Sequence, residues 1–228
     1  MPQPAGGADR PTPSPAGERT AEVTPGRADS PAHRPTDSPA LLPTDSPALL
    51  PTDRPGDGVV IAPMRRRHLR AVVAIERSVN PRPWSLGLFA GELRMPTSRH
   101  WVVARSGVLV VGFAGLMVTL DEGHVTNFAV HGDFRRHHVA TRMLLVLCRE
   151  AIERGVCDMT LEVRASNRAA QALYGRFGFA PGGVRKAYYQ DNAEDALIMW
   201  AHDMGSAEGV ARLARIEAGL PVELKVED

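Results

Sequence analysis

Cysteine, long apolar runs and, over the first quarter of the chain, aromatic residues are what this 228-residue sequence has least of. Cys148 and Cys157 are its only cysteines and have no metal-ligand partners at useful spacing. Two such residues in a chain this long are expected to be reduced thiols in a cytoplasmic protein. No apolar run approaches the roughly 18–20 residues needed to cross a bilayer, so no membrane association is expected. The first residues lack a basic start followed by an apolar core, so a secretory leader is not expected either. An excess of one charge sign is missing too. The formal net charge is +1, and without a strongly basic stripe direct nucleic-acid binding is not expected.

What is present is unevenly spread. Of 19 prolines, 13 lie in residues 1–57. The same stretch contains no Ile, Phe, Tyr or Trp, and its only Val is Val23. It cannot bury enough apolar surface to offset the entropy of ordering, so residues 1–57 are predicted to be a disordered Pro/Ala/Thr-rich tail. Within it, Pro35–Leu42 (PTDSPALL) repeats at Pro43–Leu50, and a third copy starts at Pro51. An eight-residue unit with two prolines suits neither a helix nor a central strand. It reads as an extended linker or as a docking tail with its Leu pairs as anchors.

From residue 58 the pattern changes. Val59–Ile61 reads as a strand ended by Pro63, and His68–Val79 as a helix against a sheet. Trp84-Ser85 opens a second helix. Strands follow at Trp101–Ala104, Val108–Leu120 and Val125–Val130, with turns at Ser106-Gly107 and Asp121–Gly123 and bends at Gly112 and Gly115. His138–Arg154 is an amphipathic helix and Met159–Val163 a strand. A helix capped by Ser166 or Asn167 and closed by Gly178 comes next, then strands at Val184–Tyr189 and Asp195–Trp200. This order predicts one α/β domain over residues 58–204. Residues 205–228 form a C-terminal extension with a marginal helix.

A strand, a short turn and a helix N-terminus make an anion site, because the first turn of a helix has unpaired N–H groups and partial positive charge. Arg135, Arg136, His137, His138, Val139, Ala140 and Thr141 occupy such a turn. The adjacent pair His137-His138 does not suggest a metal, since neighbouring side chains diverge and no Cys, Asp or Glu completes a tetrahedral set. Glu162 lies on a strand, where it could act as a general base with a pKa raised by partial burial, or form a structural ion pair with Arg164 or Arg168. Tyr174 shares a helix face with Ala170, Leu173 and Phe177, which suits a core aromatic or a general acid at its rim.

These residues also carry a resemblance. The strand ending Asn127-Phe128-Ala129-Val130, the turn Arg135–Ala140 and the helix behind it resemble the acetyl-CoA site of the GNAT N-acetyltransferase superfamily. Leu161–Asn167 (LEVRASN), Ala172-Leu173-Tyr174, Phe177-Gly178-Phe179, Tyr188-Tyr189 and Glu194-Asp195-Ala196 are similar to the branch that acetylates ribosomal-protein alanine. Ile75-Glu76, Pro83-Trp84-Ser85 and Phe89 match the early segment of that branch, and the resemblance spans about residues 59–202.

The resemblance implies a mixed, mostly antiparallel twisted sheet flanked by helices. It implies acetyl-CoA as co-substrate, no metal, and direct transfer to the N-terminal amine of a protein, a ribosomal protein beginning with Ala. Glu162 would be the base and Tyr174 the acid that protonates the leaving thiolate. Phe128, Ala129 and Val130 would hold the acetyl carbonyl and pantetheine arm, the turn from Arg135 to Thr141 the pyrophosphate, and Asn167 a further part of the cofactor. Trp84, Tyr188 and Tyr189 would line the acceptor side, or pack under loops. At the turn the family's central glycine is replaced by His138. Lysine side chains or small-molecule amines are the alternative acceptors, and a non-catalytic acetyl-CoA-binding module with a docking tail is the other reading. A cytoplasmic monomer is expected.

Overall fold

The computed structural model describes residues 58–227. The predicted disordered tail and its octapeptide repeat, residues 1–57, lie outside the described residues.

Strand β1 (Val59–Pro63) leads into helices α1 (Leu69–Val79) and α2 (Leu86–Glu92). Three antiparallel strands follow, β2 (Arg99–Ser106), β3 (Leu109–Thr119) and β4 (Glu122–Val130). Then come α3 (Val139–Glu153), β5 (Asp158–Arg164), α4 (Arg168–Arg176), β6 (Ala180–Tyr189), β7 (Glu194–Ala201), α5 (Ala207–Ala218) and a two-residue β8 (Lys225–Val226). The strands form one sheet in the order β6-β7-β5-β4-β3-β2-β1-β8. All pairs are antiparallel except β4–β5 and β1–β8.

Successive strand residues point to opposite faces, and β2 displays this. Trp101 and Val103 pack with α1, α2 and Phe113, whereas Val102 and Ala104 join the larger core with α3, α4 and α5. The α1 stripe of Leu69, Val72, Val73 and Ile75 is buried against the first of these faces. Gly115 faces Trp101 across the β2–β3 ladder. A Cβ at Gly115 would fall 2.5 Å from the Trp101 ring, so the indole occupies the space that the glycine leaves.

Several strands start earlier than the pattern suggests, β4 and β6 by the most. β4 begins at Glu122 rather than Val125, because Glu122–His124 pair on both sides, with β3 and β5. β6 begins at Ala180 rather than Val184, through Pro181 and two glycines. It is an edge strand, where proline and glycine are tolerated because one side of the backbone needs no partner.

The extension expected as a marginal helix is folded into the domain. Ser206 caps α5 by accepting from the Gly209 N–H. Leu213 and Ile216 join the larger core, and burial of such a side chain stabilises by about 1.5–3 kcal/mol. Glu217 pairs with Arg149 of α3. Beyond α5, β8 pairs in parallel with β1, and the buried Arg142 of α3 donates to the carbonyls of Val222 at 3.0 Å and Glu223 at 3.1 Å.

Candidate active site

The parallel ladder between β4 and β5 lasts four residue pairs, from Glu122↔Asp158 to Val125↔Leu161, and then stops. β4 continues to Val130 with β3 alone, and β5 continues to Arg164 with β7 alone. The register of β4 on β3 shifts at Thr126, between Gly115↔Asn127 and Leu116↔Val125. Such a bulge bends its strand and turns β4 away from β5. The split leaves one side of the Thr126–Val130 backbone outside the ladder and opens a cavity of about 880 Å³. Phe128, Ala129 and Val130 form one wall of it.

The turn at the N-terminus of α3 forms the next wall. Arg135, Arg136, His138, Val139, Ala140 and Thr141 line the cavity, and His137 does not. Arg136 and His138 both adopt left-handed backbone conformations, with φ of 66° and 59°. His138 is the N-cap of α3 and is exposed. The histidine thus keeps the backbone shape that glycine favours, at a steric cost of about 1–2 kcal/mol. Its side chain makes no cap hydrogen bond to the helix, and the first-turn N–H groups of α3 have no partner within the helix. The nearby α4 is capped by Asn167, whose side chain accepts from the Ala170 N–H at 3.1 Å, and Asn167 reaches the same cavity.

Glu162 and Tyr174 line this cavity together. Glu162 follows the last β4–β5 pair, beside the point where the strands part. The ion pair expected with Arg164 or Arg168 does not form. Arg164 is engaged by Asp191 and Glu194, and Arg168 by Gln171. Glu162 instead has Oε2 2.8 Å from His124 Nε2 and Oε1 3.1 Å from an Arg185 guanidinium nitrogen. The expected rise in its pKa is also corrected. The hydrogen bond from His124 outweighs burial and holds the carboxyl below its ordinary range, with the Arg185 charge adding to the effect. Tyr174 is buried beside Phe179, and burial pushes its hydroxyl upward, with the Tyr189 hydroxyl contributing, so it is protonated at neutral pH.

Trp84, Tyr188 and Tyr189 line the opposite end. Trp84 also belongs to an aromatic cluster, with ring centroids 5.3 Å from Phe89 and 5.9 Å from Trp101, so it serves both packing and lining. Tyr188 is exposed, and Tyr189 is held under the Arg164 guanidinium at 3.9 Å.

Among the residues at this site with no role assigned by the sequence reading are His124 and Glu76. His124 reaches Glu162 only through the β4–β5 register, which no local pattern reveals. Glu76 is 1% exposed and lines the cavity, and its Oε1 accepts from Asn80 Nδ2 at 2.9 Å, the Trp84 N–H at 3.2 Å and Asn127 Nδ2 at 3.3 Å. A signal for Glu76 was available: it continues the apolar stripe of α1 at the spacing i, i+3, i+4, i+7 from Leu69. A carboxylate on a buried stripe needs a dedicated set of donors. Among the described residues, no three His, Cys, Asp or Glu side chains gather to hold a metal ion.

Residues 69–179 match the acetyltransferase (GNAT) family. The ribosomal protein bS18-alanine N-acetyltransferase of Escherichia coli strain K12 is 37% identical over 144 residues, which are 61% of this chain and 94% of that relative. An N-alpha-acetyltransferase named RimI from Mycobacterium tuberculosis is 36% identical over 121 residues, 51% of this chain and 74% of that one. Among solved structures, the ribosomal-protein-S18-alanine N-acetyltransferase from Escherichia coli is similar at a TM-score of 0.59 and 34% identity, covering 64% of this chain and 94% of that one.

Proposed function

From the premise that this chain belongs to the GNAT acetyltransferase family, we propose that it moves acetyl from acetyl-CoA to the N-terminal α-amine of a protein, with a ribosomal protein beginning with alanine as acceptor. The observation that carries this reading is the split between β4 and β5, which puts free backbone, Glu162 and Tyr174 on the walls of one cavity. The acceptor is argued from the kinship with the bS18-alanine enzymes.

Acetyl-CoA fits the residues present on two counts. The open side of Phe128–Val130 offers N–H groups to an extended amide-bearing arm, and the α3 turn offers N–H groups with Arg135 and Arg136 beside them for the phosphates. The co-substrate supplies an activated acetyl group as a thioester. The chain's own part is to position and to move protons. An α-amine has a pKa of about 7.7–8.0 and is largely protonated at neutral pH. Its positive charge can replace Arg185 on Oε1 of Glu162, which then takes the proton. The free amine attacks the thioester carbonyl, and the developing oxyanion faces the free strand N–H groups. The Tyr174 hydroxyl donates its proton to the departing thiolate. Neither cysteine is needed, since Cys148 is buried in the core and neither Cys148 nor Cys157 is among the residues lining the cavity.

Trp84, Tyr188 and Tyr189 receive the first residues of the acceptor in this reading, which is also that of a cytoplasmic enzyme working as a monomer. No helix among the described residues is long and apolar enough to cross a membrane. The test is a panel of short peptides that differ in their first residue, incubated with acetyl-CoA and analysed by mass spectrometry. Acetylation at the N-terminal amine of the Ala peptide, lost in Glu162→Gln, is the expected result. Acetylation only at lysine side chains or free small amines would replace the acceptor. Tight acetyl-CoA binding without turnover on any amine would leave a binding module.

A further inference from the structure

The net charge of +1 is an average over the whole chain, and the charges are not spread evenly. Residues 58–91 contain six arginines, Arg65, Arg66, Arg67, Arg70, Arg77 and Arg82, and a single acid, Glu76. Glu76 is buried and committed to Asn80, Trp84 and Asn127, so it presents no carboxylate at the surface.

The helix sorts these residues by face. A short 3-10 turn, Arg66–His68, runs directly into α1. Leu69, Val72, Val73, Ile75 and Glu76 are buried, and Arg66, Arg70, Ala74 and Arg77 are exposed. Their spacing of four, four and three residues keeps the exposed set on one line, about 16 Å long at the helical rise. Arg66, Arg70 and Arg77 have no ion-pair partner among the described residues. Arginines on other helices are balanced. Arg149 of α3 meets Glu217, Arg154 beyond its end meets Glu150, and Arg212 of α5 meets Glu208. Like charges one turn apart repel, so the row on α1 does not serve the helix itself.

The chemistry of the row selects its partner. Ala71, Ala74 and Ser78 lie between the arginines, and no large apolar side chain of α1 is exposed. A protein partner needs an apolar or aromatic centre that excludes water, whereas nucleic-acid interfaces are polar and strongly positive. The guanidinium fork matches two phosphate oxygens at once. The row also leads somewhere. Past Arg77, Val79 and Asn80 line the cavity near Trp84, and the exposed Arg82 donates to Gln190 in the turn between β6 and β7.

We propose that the exposed face of α1 binds the phosphate backbone of RNA, with Arg66, Arg70 and Arg77 as its contacts. Such contacts position a protein and read no sequence. They displace condensed counterions, so the binding is modest and falls steeply with salt. The face lies outside the catalytic residues, and its use is to hold the enzyme beside an acceptor carried on RNA. That use rests on the reading of a ribosomal protein as acceptor; the binding does not.

The experiment follows the fluorescence anisotropy of a labelled RNA hairpin as full-length protein is added, between about 50 and 200 mM salt. Wild type should bind with a Kd on the order of 1–100 µM and weaken about tenfold to fiftyfold over that range. Arg70→Gln alone should lower the slope of log Kd against log salt by about one. The triple variant Arg66→Gln, Arg70→Gln, Arg77→Gln should bind at least about tenfold more weakly at the lowest salt, with kcat on the Ala-starting peptide within twofold of wild type. No binding by wild type at the lowest salt overturns the proposal, as does a triple variant that binds like wild type. Displacement of the RNA by acetyl-CoA would place it on the α3 turn and overturn it too. Poly-glutamate bound more tightly than the RNA would make the partner an acidic protein. Because binding is read without turnover, a protein that holds RNA through these arginines but acetylates no ribosomal N-terminus refutes the acceptor and supports the surface.

Discussion

The sheet contains two parallel seams, and they end in opposite ways. At β4–β5 the ladder stops after four pairs and the strands part around a cavity lined by Glu162, Tyr174 and the α3 turn. At β1–β8 the chain does the reverse. Two residues of a late strand close on β1, and a buried arginine from α3 clamps the segment leading to them through Val222 and Glu223. A seam left open keeps backbone polar groups available for a ligand, whereas a seam that is closed has to satisfy its own. Function should therefore concentrate at one and stability at the other, and mutations should separate the two.

The largest effect is expected at the closed seam. Arg142→Ala removes donors from the part-buried carbonyls of Val222 and Glu223 and leaves space in the core, which costs about 3 kcal/mol or more. Thermal unfolding should fall by on the order of 10 °C, while kcat of the protein still folded at 20 °C stays within twofold of wild type. A large loss of kcat without a change in Tm would break the comparison. Next comes Tyr174→Phe at the open seam. It should lower kcat by about tenfold to a hundredfold, or roughly 1.4–2.7 kcal/mol of barrier, with Tm within about 2 °C, because the ring and its contact with Phe179 remain. Normal turnover would remove Tyr174 from the chemistry.

A smaller effect comes from acid. Hydrogen bonds from Ser166, with the Arg164 guanidinium adding to them, pull the Glu194 carboxyl down from 4.5 to about 2. A lowered folded-state pKa means that this carboxylate supports the fold fully above its ordinary value, and that the support is lost as pH falls from there toward about 2. Glu194→Gln should flatten the plot of Tm against pH below about 5. An unchanged slope would show that Asp191, the other partner of Arg164, carries the effect. The smallest change is expected for His138→Gly. Relief of the left-handed histidine is offset by the greater freedom of glycine in the unfolded chain, so stability should move by no more than about 1 kcal/mol. Acetyl-CoA affinity measured by calorimetry should hold or improve. A marked loss would mean that the imidazole itself holds phosphate.

Most of the fold was legible because its signals are local. The stripe of α3, the Ser85 cap of α2 and the alternation in β5 each lie within a dozen residues. The α3 turn and the pair Glu162 and Tyr174 were legible from short strings with a known resemblance. Partners set by register were not. Which arginine meets Glu162 depends on β6 reaching β5 across β7, and Arg185 does so while the sequence neighbour Arg164 turns to Asp191. His124 and Glu162 are 38 residues apart in sequence and meet through the pairing of β4 with β5. The packing of the extension was hidden as well, because α5 gains its stability from Leu213 and Ile216 against a core assembled by earlier elements.

The two residues of β8 have one more consequence. A strand at the end of a sheet is a template on which another chain can add, and long flat apolar edges are where aggregation begins. β1, with Val59, Val60 and Ile61, would be such a template. Here β8 covers Val60 and Ile61, the Glu227 N–H donates to the Ile61 carbonyl, and Glu227 also pairs with Arg105. The new edge is two residues long and exposed, contains Lys225 and is followed by Glu227. The last residues of the domain thus act as a stopper against strand addition, at the far end of the sheet from Tyr188 and Tyr189, where the acceptor enters in our reading.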